Sequence, residues 1–395
     1  MSHSDRFTRL SQLLAELKPY WQFVPFDCLA LPWQEPALCQ WLQQHSLSEL
    51  TALRQDAAQL QAQLSPVLPW LAELTELAEA NPVQGAAQAY PARLDWQIPG
   101  RKWQQITAFS DALAERHRPW LEWCAGKGHL GRALAATSDQ PVVSLEWQAG
   151  LCEEGQTLAT RFGLPMTFVN GDAFDDSAAN HLKQHQHAVA LHACGDLHVA
   201  LLRHGARAGT EAISFSPCCY HLIRSDRYRP LSQAAQARDL NLSKLDLKMP
   251  LQETVTAPGH VKRQRQLELS YRLGFDCLQR QLTGQDQYLP LPNVPKSLLG
   301  DGFEAFCQWA AQRKGLALPV EGPELEPYLS QGQSRLPVLE QMETVRQLFR
   351  RPLELWLVLD RVCYLEEQGY EVDISTFCDR QMTPRNLLVR ATKSG

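Results

Sequence analysis

The sequence predicts an α/β protein: a doubly wound core of parallel strands, flanked along the chain by helical segments. Two patterns predict it. Between Pro119 and Ser216, short apolar runs alternate with helix-length stretches, as in successive βα units. On either side the apolar positions recur at three and four residues, as in Leu10, Leu13, Leu14 and Leu17, or Leu50, Leu53, Leu60 and Leu64, which is the spacing of one helix face. A chain of 395 residues with 44% hydrophobic and 21% charged residues has the composition of a folded protein of two or three domains.

Taken in order, residues 1–90 read as an N-terminal helical domain punctuated by Pro25, Pro32, Pro66 and Pro69, whose apolar stripes must pack on something. Residues 91–235 read as the first, larger part of the α/β core. Its strands are expected at 120–124, 142–146, 166–170, 188–192 and 212–216, with helices starting near Leu130, Ala149, Asp176 and Leu197. After Ser232 the strand signal disappears, and residues 236–345 read as a helical insertion with Pro290, Pro292 and Pro295 in a loop. Residues 346–395 return to the core. They comprise a long amphipathic helix over 346–368, then strand-like runs at 371–378 and 386–391 joined by the turn Thr383-Pro384-Arg385.

With 38 Lys plus Arg against 43 Asp plus Glu, the net charge is −5, so no protein-wide positive field gathers polyanions. Any nucleic acid must be held by local clusters: Arg224 to Arg229, His260 to Arg265, or Arg101-Lys102-Trp103. Solvated surface charge is the other reading of each. The 11 cysteines run from Cys28 to Cys378, and mixed-polarity sequence follows Met1, which leads us to expect a reduced, cytoplasmic protein. No apolar run reaches the roughly 18 residues of a membrane-spanning helix.

The stretch most informative about chemistry is Leu121-Glu122-Trp123-Cys124-Ala125-Gly126-Lys127-Gly128-His129-Leu130-Gly131, an apolar strand passing through a small-residue loop into a helix. Gly126 and Gly128 permit close approach of a ligand, and the helix N-terminus favours anionic groups. Alone, this loop is either a tight turn or a Gly-x-Gly-x-x-Gly dinucleotide loop. Glu146 closes the next strand, roughly 20 residues on, where a carboxylate can accept hydrogen bonds from both ribose hydroxyls of an adenosine. In Asn170-Gly171-Asp172-Ala173-Phe174, Asp172 can take the exocyclic amine of adenine while Ala173 or Phe174 lines its face. Three strand ends then describe an adenosine pocket.

These residues resemble the class I S-adenosylmethionine-dependent methyltransferases. The resemblance implies a Rossmann-like, seven-stranded core with S-adenosyl-L-methionine as cofactor. It implies that Glu122 holds the methionine amine, Gly126 and Gly128 form the loop, Glu146 holds the ribose, and Asp172 with Ala173 holds the adenine. Cys124 stands where that superfamily has its first loop glycine, placing a side chain where the backbone passes the methionine moiety. Leu191-His192-Ala193-Cys194-Gly195-Asp196 and Pro217-Cys218-Cys219-Tyr220-His221 resemble a narrower group, which includes the ribosomal RNA adenine dimethylase domain-containing proteins. Similar paired signatures occur in tRNA 2′-O-ribose methyltransferases. The likeness spans residues 93–230 and 383–388.

Methyl transfer is an in-line displacement, so the enzyme must align a nucleophile and, where needed, remove its proton. In this architecture the groups after the fourth and fifth strands face the sulfonium, His192 next to the cofactor itself. His192, Asp196, Cys218 and His221 are therefore the catalytic candidates, with His192 or His221 as general base. Cys218 as a thiolate adding to C6 of a pyrimidine is another possibility, although Cys219-Tyr220-His221 does not match the pattern of such enzymes. His192, Cys194, Cys218, Cys219 and His221, all near one sheet edge, are a candidate metal set, but vicinal cysteines and the lack of any Cys-x-x-Cys pair argue against zinc, so no metal is expected. The expected acceptor is tRNA or rRNA. A protein or small-molecule acceptor, an idle cofactor-binding scaffold signalled by Cys124, and a nicotinamide oxidoreductase are the alternatives.

Overall fold

The computed structural model describes residues 1–83, 85–251, 259–318 and 322–393. Parts of the expected helical domain (84), insertion (252–258 and 319–321) and C-terminal segment (394–395) lie outside the described residues.

Seven strands form one sheet in the order β3-β2-β1-β4-β5-β7-β6. They are β1 Trp120–Trp123, β2 Val142–Glu146, β3 Met166–Asn170, β4 His187–Cys194, β5 Ala212–Cys218, β6 Tyr370–Thr376 and β7 Leu387–Lys393. The first five are parallel, and β7 runs antiparallel to both β5 and β6. Every residue of β1 and β5 is buried, which is why those segments read as continuous runs rather than alternating ones. Strand order reverses between β1 and its neighbours β2 and β4, leaving a crevice at the carboxyl ends where α/β sheets take their ligands.

The first three strands end within one residue of expectation, whereas β4 and β5 each run two residues further. In β4 the register shifts between Leu191 and Cys194, with His192 in the left-handed region (φ 66°), and pairing then resumes at Cys194 opposite Cys218. The segment from Asp176 is a six-residue 3-10 turn, Asp176–His181, rather than a helix. Its Asp, Ser and Asn side chains compete for backbone groups and favour turns. The long C-terminal helix begins at Arg350 rather than 346, after a 3-10 turn at Gln347–Phe349. Pro352 accounts for that break, because its ring would clash with the carbonyl four residues earlier in a continuing helix.

Contacts group the chain into two units that cut across the divisions at 90/91, 235/236 and 345/346. One comprises Met1–Ala15, Glu73–Glu253 and Arg350–Gly395, the other Glu16–Ala72 and Thr254–Phe349. In the second, all helical, Leu38, Leu42, Leu60 and Leu64 share a core with Leu273, Leu336, Leu339 and Met342, so amphipathic helices far apart in sequence bury one another's stripes. In the first, the helix His3–Glu16 packs Phe7 against Trp356 (5.3 Å between ring centroids), and Trp356 Nε1 donates to Ser11 Oγ at 2.8 Å.

Helix Arg350–Glu367 also carries a buried polar network in the sheet-bearing unit. Asp360 accepts the amides of Leu231 (2.9 Å) and Ser232 (2.7 Å) and the Tyr228 hydroxyl. Arg361 donates to Tyr228 Oη (2.5 Å) and to His198 Nε2 (3.1 Å). Burial pushes the His198 imidazole down to about 3, so it stays neutral, and its Nδ1 donates to the Ala193 carbonyl. This network ties β4, its following helix Asp196–Ala208 and the segment after β5 into one frame. No described helix is long and apolar enough to cross a membrane.

Candidate active site

The loop after β1 is held by two carboxylates. Gly126 and Gly128 have φ of 58° and 67°, and a Cβ on Gly128 would lie 2.4 Å from the Phe168 ring, so only glycine fits there. Cys124 adopts φ 56°, the same left-handed region, without glycine's freedom. Glu146, at the end of β2, accepts the Gly126 amide at 2.9 Å through Oε2 and the Gln148 amide at 3.0 Å through Oε1. Nothing lies within 4 Å of where a Cβ on Gly126 would point, so the loop is open on that face.

Glu122 is placed differently from the residue of an open binding surface. It is 4% exposed, and its carboxylate accepts from Ser144 Oγ (2.9 Å) and from the amides of Leu130 and Gly131 at the start of helix His129–Ser138. Burial raises its pKa to about 7, against those donors and the nearby Lys102 ammonium. Glu122 thus anchors the loop to its helix from behind. Ser144, opposite Glu122 in the β1–β2 register, carries no sequence signal of this role.

After β3, Asp172 is exposed and accepts the Phe174 amide at 2.9 Å, Ala173 is buried, and Phe174 lies beneath the Arg224 guanidinium (5.2 Å). Burial pushes the Cys124 thiol up to about 12, with Glu146, Cys194 and Asp172 adding to the shift. Those causes also set the ends of β1, β2, β3 and β4 around one crevice.

After β4 and β5 lie the acceptor-side candidates. His192 Nε2 is 3.2 Å from Gln105 Oε1, and burial, with Arg385 and Lys102, lowers its pKa to about 4. Asp196 Oδ2 accepts the Arg224 amide at 2.7 Å, fastening the two loops together. His221 Nδ1 is buried without a hydrogen-bond partner among the described residues. Cys218 Sγ lies 3.4 Å from Cys194 Sγ. Arg385, from the turn before β7, influences His192, Cys219 and His221. It was missed as a site residue, although Thr383-Pro384-Arg385 carried part of the resemblance. Gln105, from helix Gly100–Asp111, gave no signal, and Lys102 of the same helix was read only as part of a basic cluster.

A cavity of about 610 Å³ opens beside these loops, lined by Arg203, Arg207, Arg224 and Arg229 together with Phe174, Asp176 and Asp196. Of the other basic clusters, Arg101 donates to the Met382 carbonyl (2.9 Å), and His260 to Arg265 belong to the helical unit, where the Lys262 side chain lies outside the described residues.

Residues 101–226 match a protein family described as a methyltransferase domain. Among solved structures, the chain is similar to precorrin-6y C5,15-methyltransferase from Geobacter metallireducens GS-15 (11% identity, 32% of this chain and 66% of that one, TM-score 0.25). It is also similar to a geranyl diphosphate methyltransferase in complex with SAM (12%, 34% and 62%, 0.26) and to the Methanococcus jannaschii fibrillarin pre-rRNA processing protein (14%, 31% and 57%, 0.26). The chain spans less than two thirds of the length of each. Residues 101–226 of the sheet-bearing unit, which include the glycine loop, Glu146 and Asp172, are thus the part of the chain that is similar to the methyltransferase-domain family.

Proposed function

We propose that this protein transfers a methyl group from S-adenosylmethionine to an RNA, tRNA or rRNA, in the cytoplasm. The observation that carries the cofactor reading is the bond between Glu146 and the Gly126 amide at the carboxyl edge of β1 and β2, with Asp172 next to it after β3. The residues fit the group. Space is open above Gly126, the Glu146 carboxylate keeps lone pairs for ribose hydroxyls, and Asp172 with Ala173 suits an adenine edge and face. Glu122 supports the loop and sets a buried acid behind the place of the methionine ammonium. When bound, the cofactor supplies an electrophilic methyl carbon.

The chain's own residues align the acceptor and remove its proton. With Gln105 Oε1 as acceptor, His192 carries its proton on Nε2 and offers a neutral Nδ1 as base at physiological pH. His221 is the second base candidate, through its unpartnered Nδ1. Asp196 acts by orienting the loop that carries Arg224. Its neighbours Cys194 and Cys219 push the Cys218 thiol up, which opposes its use as a nucleophile.

The RNA reading rests on the arginine-lined cavity. Arg203, Arg207, Arg224 and Arg229 form no ion pair among the described residues, and the Arg224–Phe174 stack sets an aromatic face beside charge, as single-stranded nucleic acid binders do. The test is transfer of labelled methyl from S-adenosylmethionine into an extract of cells lacking the protein. Label removed by RNase supports this reading. Label removed only by protease, or resistant to both, moves the acceptor to a protein or a small molecule. Cofactor binding with no label in any extract favours an idle scaffold, for which the strained Cys124 is the structural sign.

A further inference from the structure

We propose that Cys194, Cys218 and Cys219 form a three-sulfur site for a soft divalent cation of the zinc class at the carboxyl edge of β4 and β5. The sequence argument against a metal rested on Cys218 and Cys219 being vicinal and on the lack of a Cys-x-x-Cys pair; the structure sets Cys194 directly against them. Cys194 and Cys218 are direct partners on adjacent parallel strands, and their sulfurs are 3.4 Å apart. All three sulfurs lie within 4.8 Å of one another. A tetrahedral zinc with bonds of about 2.3 Å sets its sulfurs about 3.8 Å apart, so small side-chain adjustments bring the set onto one ion.

Consecutive strand residues point to opposite faces, which is what normally keeps vicinal cysteines from sharing a ligand. Here Cys219, directly after β5, has φ 46°, in the left-handed region, and its sulfur lies within 4.8 Å of those of Cys218 and Cys194. His192 (φ 66°) makes the corresponding irregularity two residues before Cys194. Left-handed backbone at non-glycine residues costs on the order of 1 kcal/mol or more each and persists where the surroundings fix it. The three cysteines are free thiols, and a disulfide between any two would leave the third unpaired.

Three thiolates on a divalent ion leave one negative charge, and Arg385, whose Nε is buried without a partner among the described residues, is placed to offset it. Three protein ligands leave a fourth position open. That is the arrangement of zinc sites that polarise a bound group rather than merely stiffen a fold.

The site stands independently of the methyl-transfer reading, and its test needs no activity. The full chain, purified under reducing anaerobic conditions with a chelator and then freed of it, is titrated with Co²⁺ as a spectroscopic stand-in, followed by Zn²⁺. Expected are thiolate-to-cobalt charge-transfer bands saturating at about one ion per chain and abolished by Zn²⁺. Cys219→Ser and Cys194→Ser should each weaken binding by more than the roughly 100-fold that loss of an outer partner costs, while Cys39→Ser in the helical unit leaves it unchanged. Thermal melts of the metal-free variants show whether they fold, and Cys219→Ala provides a second variant at a half-buried position. Absence of the bands in the folded wild-type chain, or bands that survive in both folded site variants, would overturn the proposal.

Discussion

Glu146 Oε2 accepts the amide hydrogen of Gly126 at 2.9 Å, so the residue that ends β2 sets the height of the loop that follows β1. A charged acceptor on a backbone amide is worth about 1.5–3 kcal/mol. Glu146→Ala is therefore expected to weaken S-adenosylhomocysteine binding by about 10- to 100-fold, measured by calorimetry or by the ligand-induced rise in melting temperature. NADH should give no such rise in the wild-type protein. Equal ligand affinity in the variant, or stabilisation by NADH, would refute the assignment.

Glu122 makes stability depend on pH in a direction opposite to that of a paired surface carboxylate. Its pKa rises from 4.5 unfolded to about 7 folded, chiefly through burial. Below about pH 4.5 both states hold the proton and it contributes nothing. As pH rises toward 7 the folded state binds more protons than the unfolded one, so stability falls. Above about 7 the loss is complete, on the order of 3 kcal/mol. Urea melts of wild type and Glu122→Gln across pH 4.5–8 should show a steeper decline in the wild type; parallel profiles would contradict the shift.

Cys124 at φ 56° carries backbone strain that glycine would relieve and a β-branched residue would aggravate. Cys124→Gly is expected to stay within about 1 kcal/mol of wild type, and Cys124→Val to be less stable than the glycine variant by about 1–3 kcal/mol. Denaturant midpoints decide this, and equal stability of the two variants would show that the position is unstrained.

Arg361 and Asp360 are almost wholly buried and share Tyr228 as a partner. Arg361→Met leaves Asp360 without its cation and is expected to cost about 3–5 kcal/mol. Asp360→Asn added to it should restore part of that loss, because the uncompensated charge goes with it. A loss of less than about 1 kcal/mol in the single variant would mean that the amides of Leu231 and Ser232 satisfy Asp360 unaided.

If RNA lies along the arginine-lined cavity, Arg207→Gln and Arg229→Gln should each weaken RNA binding without changing sequence preference. Each should also flatten the dependence of log affinity on log salt concentration by about one unit. Filter-binding titrations at several salt concentrations give the slope. An unchanged slope in both variants would remove the cavity from the interface.

Much of the sheet could be read from local pattern. β1 and β2 fall where the apolar runs lie, because a strand covered on both faces needs mostly apolar residues whatever its neighbours are, and β3, at the sheet edge with Thr167 and Asn170 exposed, keeps a short apolar run only around Met166, Phe168 and Val169. Gly126, Gly128, Glu146 and Asp172 were legible for a related reason: ligands meet parallel sheets at strand ends, so the residues just beyond each strand are candidates once the strands are placed. The inward turn of Glu122 was not legible, since its donors Ser144, Leu130 and Gly131 come from a neighbouring strand and the next helix.

The sequence by itself determined the α/β class, the position of the glycine loop and the acidic residues at three strand ends, all of which follow from periodicities of a few residues. Only the tertiary structure decided that Cys194 meets Cys218 and Cys219, that Arg385 returns to the edge holding His192 and His221, and that helices within 16–72 share a core with those of 254–349. These depend on which strands become neighbours and which helix faces find each other. Burial of apolar surface selects those pairings for the chain as a whole, and no local spacing encodes them.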